Sequence, residues 1–300
     1  MAFYDVIDDQ MLACGECPMW DWRNGIFYWA DILGGKMFSY DPKTGDKALV
    51  CEGKNISGFT LNEQGGFVCA SHQGVWLWDV NRGWTKITDE YEGEQLICND
   101  ATADAKGRFI FGTHHYAGQG IGGEIRLGHI FSMDSEGKLT KLDDGYGLPN
   151  GIAFSPDQKI MYVVDTFTRE VFGFDYDPET GSVSNKRVVV KVPDNEGIPD
   201  GMTVDAEGCL WVAQHYGSCV VRYSPDGEVL LKLFVPSLQT TAIVFGGEDL
   251  TDMYITSAAQ VARHGIAPKG YDFDAPHNGS TFRFNRGIKG MKEHIADIRL

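Results

Sequence analysis

Hydrophobic residues along this chain occur in short segments that turn residues interrupt. The segments are rich in aromatic and β-branched residues and are bounded by Asp, Gly, Asn or Pro: FYWADI, GGFVCAS, GVWLWD, RFIFGT, HIFSMD, IMYVVD, EVFGFDYD, CLWVAQ, CVVRYS, AIVFGG, MYITSA and TFRFN. Segments of this kind are typical of β-strands. No segment carries an apolar stripe at i, i+3, i+4 and i+7 beyond one turn, so the pattern predicts an all-β protein.

The connections between these segments also repeat. Nine turn segments open with Asp, Asn or Ser, and they begin at residues 41, 62, 79, 104, 134, 155, 177, 205 and 224, which places successive starts 17 to 30 residues apart. Two such hairpins make one four-stranded sheet of roughly 40–50 residues, the length of a propeller blade. Because six blades fit 300 residues best, we predict a six-bladed β-propeller that forms a single domain over residues 1–300. A two-sheet sandwich is the alternative.

Composition and charge limit the classes of partner. The net charge is −16 and 43 % of the residues are hydrophobic, which indicates a folded, acidic protein. Nucleic acid and anionic membranes repel such a surface, so we expect neither as a partner. An acidic protein does suit a bound cation.

The expected compartment follows from the segments that the sequence lacks. The first residues, MAFYDVIDDQML, do not resemble a secretion signal, and no run approaches the ~20 apolar residues of a membrane-spanning helix. The seven cysteines are an odd number, and without export they are expected to be reduced thiols. We therefore expect a cytoplasmic protein; its oligomeric state stays open.

Four polar side chains stand where the innermost strand of a blade is expected to begin. They are Glu16 in GECPMW, Asn99 in CNDATADAKGRF, Asn150 in GLPNGIAFSPD and Asp200 in GIPDGMTVDAEG. The last two segments are near-copies in which Pro and Gly flank the polar residue. Since the inner strands of a propeller converge on a central channel, these side chains are expected to meet there.

Two carboxylates and two carboxamides form a set of hard oxygen donors. Such donors suit Ca²⁺, Mg²⁺ or Mn²⁺ and remain acceptable to Zn²⁺ or Fe²⁺. Without a cation, two buried carboxylates repel each other and pay a desolvation cost. The sequence therefore predicts a central site for one divalent metal ion. The alternative is that each residue only satisfies hydrogen bonds of its own turn.

Five blocks carry a resemblance to a known family. GECPMW, NDATADAKGRFIFGT, PNGIAFSPDQKIMYVVDT, PDGMTVDAEGCLWVA and TAIVFGGEDLTDMYITSA resemble, in order, the signature blocks of the gluconolactonase/regucalcin/luciferin-regenerating-enzyme-like family. The resemblance implies a six-bladed propeller with one catalytic divalent metal ion. It implies metal ligation by Glu16, Asn150 and Asp200, with Asn99 beside the metal or the substrate and Asp200 as general base. Many members of the family open sugar lactones.

The chain departs from the family pattern on the substrate side. The family usually has Arg where this chain has Ile97, and Met where His114 begins the run His114-His115-Tyr116. The residues expected to bind sugar hydroxyls are thus replaced. This predicts that the substrate is a lactone with fewer hydroxyl groups, or with more aromatic character, than gluconolactone. Besides Asn99 and Ile97, the candidates for substrate contact are His72, His114, His115 and Tyr116, of which a histidine would orient the substrate or protonate the leaving oxygen.

We therefore predict a metal-dependent lactonase that acts on a small molecule. Asp200 takes the proton of the attacking water, or its carboxylate attacks the carbonyl directly; the sequence leaves both open. An esterase or phosphotriesterase with the same site, and a propeller that binds a divalent metal without turnover, are the alternatives. Cys14 and Cys17, which flank Glu16, are interpreted as packing residues.

Overall fold

The computed structural model describes residues 4–115, 127–259, 270 and 272–300. The chain divides into two compact units, Met1–Asn55 with Val190–Glu293, and Ile56–Val189 with His294–Leu300. The prediction of one domain over residues 1–300 stays a prediction.

The described part of the first unit contains three four-stranded antiparallel sheets. One consists of β2 (Gly15–Asp21), β3 (Ile26–Asp31), β4 (Lys36–Tyr40) and β5 (Lys47–Glu52), and another of β20 (Ile198–Val204), β21 (Leu210–His215), β22 (Cys219–Tyr223) and β23 (Val229–Phe234). The third combines β1 (Tyr4–Asp8) with β24 (Thr240–Gly246), β25 (Asp252–Ser257) and β26 (Thr281–Asn285). In this sheet β1 pairs with β26, so both ends of the chain contribute to one sheet.

The second unit repeats the same arrangement three times within its described residues. Its sheets are β6 (Ile56–Leu61), β7 (Phe67–Ser71), β8 (Gly74–Asp79) and β9 (Gly83–Thr88); β12 (Cys98–Ala103), β13 (Phe109–Thr113), β14 (Gly128–Met133) and β15 (Leu139–Tyr146); and β16 (Pro149–Phe154), β17 (Ile160–Asp165), β18 (Glu170–Tyr176) and β19 (Val183–Lys191). A short hairpin of β10 (Glu90–Tyr91) and β11 (Glu94–Gln95) follows β9. The strands thus form separate four-stranded sheets rather than the two large sheets of a sandwich, and the sandwich alternative is wrong.

The repeated turns have the conformation that their sequences predict. Asp41 accepts a hydrogen bond from the backbone N–H of Lys43 at 2.8 Å, and Gly45 closes that turn with φ +81°, a conformation that costs glycine little. Asp177 and Gly181 repeat this pattern. Such turns join consecutive strands, which explains why five of the described four-stranded sheets are up-and-down meanders, the sheet of β1 with β24, β25 and β26 being the exception.

In each described four-stranded sheet the strand at one edge is the most exposed, namely β1, β5, β9, β15, β19 or β23. Every residue of β6, β16 and β24 is buried, whereas most residues of β19 are exposed. Close approach of neighbouring sheets requires glycine in the buried strands. A Cβ on Gly58 in β6 would collide with the backbone of Ala101 in β12. A polar residue in the first strand therefore lies in one of the most tightly packed parts of its unit.

Within the described residues, no helix has the length and apolar character needed to cross a bilayer.

Candidate functional site

The four predicted polar residues all lie near the start of the first strand of a sheet. Glu16, Asn99 and Asn150 are the second residues of β2, β12 and β16, and Asp200 is the third residue of β20. The pairing of each strand with its neighbour shifts register directly at this point. A bulge of this kind re-aims a side chain that regular alternation would fix. The predicted placement at strand starts is confirmed, and the same backbone irregularity recurs at all four positions.

The two carboxylates belong to the first unit. Glu16 and Asp200 are 9 % and 7 % exposed. Glu16 accepts a hydrogen bond from the backbone N–H of Cys17 at 2.9 Å, and Cys17 has φ +54°, a conformation that non-glycine residues seldom adopt. The pKa of the Cys14 thiol is raised well above its usual range, first by burial and then by the charges of Glu16 and Asp200. The charges of both carboxylates therefore raise the pKa of the same thiol.

A third carboxylate holds the segment in front of Glu16. Asp31, the last residue of β3, accepts hydrogen bonds from the backbone N–H groups of Ala13 at 3.2 Å and Cys14 at 2.9 Å. In the second unit, Asp165 at the end of β17 accepts from Gly147 at 3.2 Å and Leu148 at 3.0 Å. The same anchor thus fixes the loops that lead to Glu16 and to Asn150.

The two carboxamides belong to the second unit and lie on neighbouring strands. Asn150 is 7 % exposed and donates from its Nδ2 to Oγ1 of Thr166 at 3.2 Å. Asn99 is half-buried and donates from its Nδ2 to the carbonyl oxygen of Pro149 at 2.8 Å. The structure therefore brings these two predicted residues together.

The sequence analysis missed a histidine that contacts Asp200. His215 ends β21, is 6 % exposed, and places its Nδ1 3.2 Å from Oδ2 of Asp200. Its counterpart in the second unit is Thr166, the partner of Asn150. The partner follows the polar residue by 15 positions for Asp200 and by 16 for Asn150. This nearly equal spacing is the signal that would have found His215.

Three candidates for substrate contact cluster in the second unit. The carbonyl oxygen of Ile97 accepts from the backbone N–H of His114 at 2.9 Å, and the ring of His114 lies 5.7 Å from that of His72, edge to face. His114 is buried. Burial lowers the pKa of His72, which keeps this imidazole neutral at physiological pH.

The next candidate, His115, has different neighbours. Its ring lies 6.4 Å from that of His129, and both rings line a depression of about 130 Å³ together with Thr113 and Lys141. Burial is the main cause that lowers the pKa of His129. Tyr116 lies outside the described residues. The roles of His72, His114, His115 and Tyr116 stay predictions.

All seven cysteines are free thiols in the structure. Cys17 and Cys98 are buried, consistent with packing roles. Cys14 is half-buried and electrostatically coupled to Glu16 and Asp200, so its surroundings are more polar than a packing role predicts.

The chemistry of the donors fits a hard cation. In the part of the chain that the structure describes, no three His, Cys, Asp or Glu side chains form a group that could hold a metal ion. The predicted set contains only two such residues, because its other members are asparagines. Buried carboxylate and amide oxygens are nevertheless the ligands that Ca²⁺ prefers. The central metal site stays a prediction.

Comparison with known proteins identifies the class of this chain. The family described as "SMP-30/Gluconolactonase/LRE-like region" matches residues 14–259. The pentonolactonase XacC of Haloferax volcanii is 33 % identical over 97 % of both chains. The 6-deoxy-6-sulfogluconolactonase of Pseudomonas putida is 34 % identical over 84 % of this chain and 85 % of that protein. The crystal structure of regucalcin, a calcium-binding protein from Agrobacterium tumefaciens, superposes with a TM-score of 0.85 at 28 % identity, over 98 % of this chain and 97 % of the other.

The fold is therefore an all-β six-bladed β-propeller, as predicted. The chain belongs to the SMP-30/gluconolactonase/LRE-like family.

Proposed function

We propose that this protein opens the ester bond of a lactone with the help of one divalent cation. The protein is a lactonase, a hydrolase of the kind named among its relatives in Haloferax volcanii and Pseudomonas putida. The observation that carries the proposal is the pair of buried carboxylates, Glu16 and Asp200, which act on one thiol in the first unit. Two buried carboxylates whose charges reach a common thiol gain from a bound cation, because it offsets their desolvation and their mutual repulsion.

Glu16, Asn150 and Asp200 are the proposed ligands of the cation, and Asn99 is the proposed neighbour of cation and substrate. Buried oxygen donors support Ca²⁺ as the first candidate, as does the calcium-binding regucalcin of similar fold. Mg²⁺, Mn²⁺, Zn²⁺ and Fe²⁺ are the other candidates, since oxygen ligands discriminate weakly among divalent ions.

The proposed mechanism assigns a separate task to each side chain. A divalent cation bound there would polarise the lactone carbonyl and stabilise the oxyanion that forms. The carboxylate of Asp200 accepts the proton of the attacking water, and direct attack by this carboxylate is the alternative. The backbone N–H of Cys17 holds the carboxylate of Glu16. His114 or His72 orients the substrate or relays to the leaving ring oxygen the proton that Asp200 has taken.

The test is proton release from a panel of lactones, with and without a chelator. Replacement of Asp200 by Asn removes the base but keeps the side-chain shape, so we expect kcat/KM to fall by at least ~10²-fold while the fold persists. Asp194→Asn, six residues upstream and exposed, is the matched control and should retain wild-type activity. Wild-type turnover by Asp200→Asn, or turnover that a chelator leaves unchanged, would contradict the proposal.

The proposed substrate is a lactone with few hydroxyl groups or with an aromatic substituent. Ile97 stands where the family usually has Arg, and its backbone carbonyl accepts from His114; an apolar side chain at that position lacks the polar partner that a polyol needs to replace its lost water. We expect kcat/KM to be higher for apolar or aromatic lactones than for gluconolactone in the same panel. A preference for gluconolactone would contradict this assignment and leave the lactonase proposal standing.

A further inference from the structure

His215 is held on a rigid part of the first unit. Its backbone lies opposite Ile198 in the pairing of β20 with β21, and an isolated bridge joins it to Gln239 on the other side. The ring of Tyr216 packs edge-on against the imidazole, with centroids 4.3 Å apart. The imidazole is therefore a fixed group rather than a mobile surface side chain.

The contact with Asp200 determines where the imidazole carries its proton. Oδ2 of Asp200 is a hydrogen-bond acceptor, so Nδ1 of His215 must be the N–H donor over the 3.2 Å that separates them. In the neutral ring Nε2 is then an acceptor. Nε2 is buried and has no hydrogen-bond partner among the described residues. An unsatisfied buried acceptor destabilises a protein, so packing alone does not account for a histidine at this position.

The same arrangement exists at Asn150. Asp165 pairs with Pro149 in one sheet, and Gln214 pairs with Pro199 in another. Thr166 and His215, the next residues, thus occupy equivalent positions. Thr166 accepts a hydrogen bond from Nδ2 of Asn150, which turns the amide oxygen to the opposite side. Each of these two proposed ligands is therefore held through one terminal atom by a residue at the end of the second strand of its sheet, His215 as the last residue of β21 and Thr166 directly after β17.

We propose that His215 is the positioning residue of Asp200: its Nδ1–H fixes the carboxylate through Oδ2, so that the orientation of Oδ1 toward cation and water is set before substrate binds. The inference rests on the proposed function. Residues behind metal-bound carboxylates and imidazoles typically change metal affinity or activity by 10–100-fold when they are replaced. His215 is thus the first residue to alter after the ligands themselves.

The experiment compares two replacements of His215 with one control. His215→Phe keeps the ring volume and removes the donor, whereas His215→Asn keeps an N–H donor close to the position of Nδ1. His129→Phe, at the depression in the second unit, is the control. Circular dichroism of the metal-free proteins verifies folding, and the readouts are kcat, KM and Ca²⁺ affinity by calorimetry.

Loss of the donor should affect the chemical step more than substrate binding. We expect His215→Phe to lower kcat by about 10–100-fold with KM within about 3-fold of wild type, and to weaken Ca²⁺ binding by at least about 10-fold. His215→Asn should recover most of both losses, and His129→Phe should match wild type. Wild-type kcat and Ca²⁺ affinity in His215→Phe, or equal losses in Phe and Asn variants, would overturn the inference.

Two further observations separate this inference from the proposed function. If the wild type opens no lactone of the panel, the proposed function fails, but the Ca²⁺ affinity of the same variants still decides the role of His215. If the wild type also binds no divalent ion, the proposed function and the inference about His215 both fail. Nitrogen-15 NMR of the wild-type imidazole requires no variant. It should report the proton of His215 on Nδ1, and a proton on Nε2 in its place would overturn the inference.

Discussion

At the scale of single residues, aspartates that open similar turns contribute unequally to stability. Asp205 opens one of the repeated turns and is fully buried. It accepts hydrogen bonds from Nε1 of Trp211 at 2.9 Å and from Nε of Arg222 at 2.8 Å. Asp177 opens another of the repeated turns, between β18 and β19, where it is exposed and accepts from the backbone N–H of Glu179 at 2.9 Å. Burial and a charged partner distinguish two residues that the sequence presents alike.

Removal of these two carboxylates should therefore have unequal costs. Asp205→Ala leaves the guanidinium of Arg222 and the indole N–H of Trp211 without their acceptor, and we expect a loss of about 3–5 kcal/mol in the free energy of unfolding. Asp177→Ala removes only exposed hydrogen bonds and should cost about 1 kcal/mol. Urea unfolding of both variants measures the difference. Similar losses would mean that the buried network contributes no more than an ordinary turn.

The predictability of the site also differs among its residues. Asp200 and Asn150 were predictable because Pro and Gly flank a polar residue in two near-identical segments, which marks an irregular strand start. His215 was not, because it directly follows the ordinary apolar segment CLWVAQ and gains its role only through the pairing of β21 with β20. A residue whose role depends on a contact with the neighbouring strand is difficult to recognise from the local sequence.

At the scale of elements, the apolar segments matched most middle strands, β4 excepted, and missed most of the strands at the sheet edges, β24 excepted. β8 and β17 match the predicted segments GVWLWD and IMYVVD residue for residue. β12, CNDATA, was expected to begin near Asn99 but has no apolar strand pattern of its own, because Asn and Asp are depleted in strands and stand here beside a bulge. β19 was missed because its side chains are mostly exposed and polar. Tertiary context, rather than propensity, forms both kinds of strand.

The close packing of first strands gives a direct test at this scale. Gly58→Ala introduces a methyl group that would collide with the backbone of Ala101, and backbone relieves such a clash less easily than a flexible side chain does. We expect a loss of about 1–3 kcal/mol in unfolding free energy. Gly45→Ala is the control, since its φ is +81° but nothing lies within 4 Å of the added carbon; it should cost about 1 kcal/mol from backbone strain alone. A smaller loss for Gly58→Ala than for Gly45→Ala would contradict the close packing of β6 against β12.

At the scale of the whole molecule, stability should depend on the protonation of a carboxyl in the C-terminal segment. Glu293 is half-buried, and its backbone oxygen accepts a hydrogen bond from Nε1 of Trp22 at 3.1 Å. Burial raises the pKa of its side chain from 4.5 to about 7. Between these values the unfolded chain has lost a proton that the folded protein retains. The free energy of unfolding therefore falls as pH rises from about 4.5 to 7, and it levels off above that range.

Glu293→Gln should abolish this pH dependence. The variant cannot ionise, so we expect it to be more stable than wild type at pH 8, by at most about 3 kcal/mol, and equal to it near pH 4. Thermal and urea unfolding at several pH values provide the measurement. Glu136→Gln, at an exposed position, is the control and should change little at any pH. A variant less stable than wild type at pH 8 would show that the ionised carboxylate of Glu293 stabilises the fold.

The central claim is that Glu16, Asn150 and Asp200 hold one divalent cation. A crystal of the protein soaked in Mn²⁺, with data collected for anomalous scattering, tests it most directly. The account predicts one strong anomalous peak per chain, about 2.0–2.6 Å from oxygen atoms of these three side chains, and its loss in Asp200→Asn crystals treated in the same way. A peak elsewhere in the chain, or no peak while the three side chains lie apart, would contradict it.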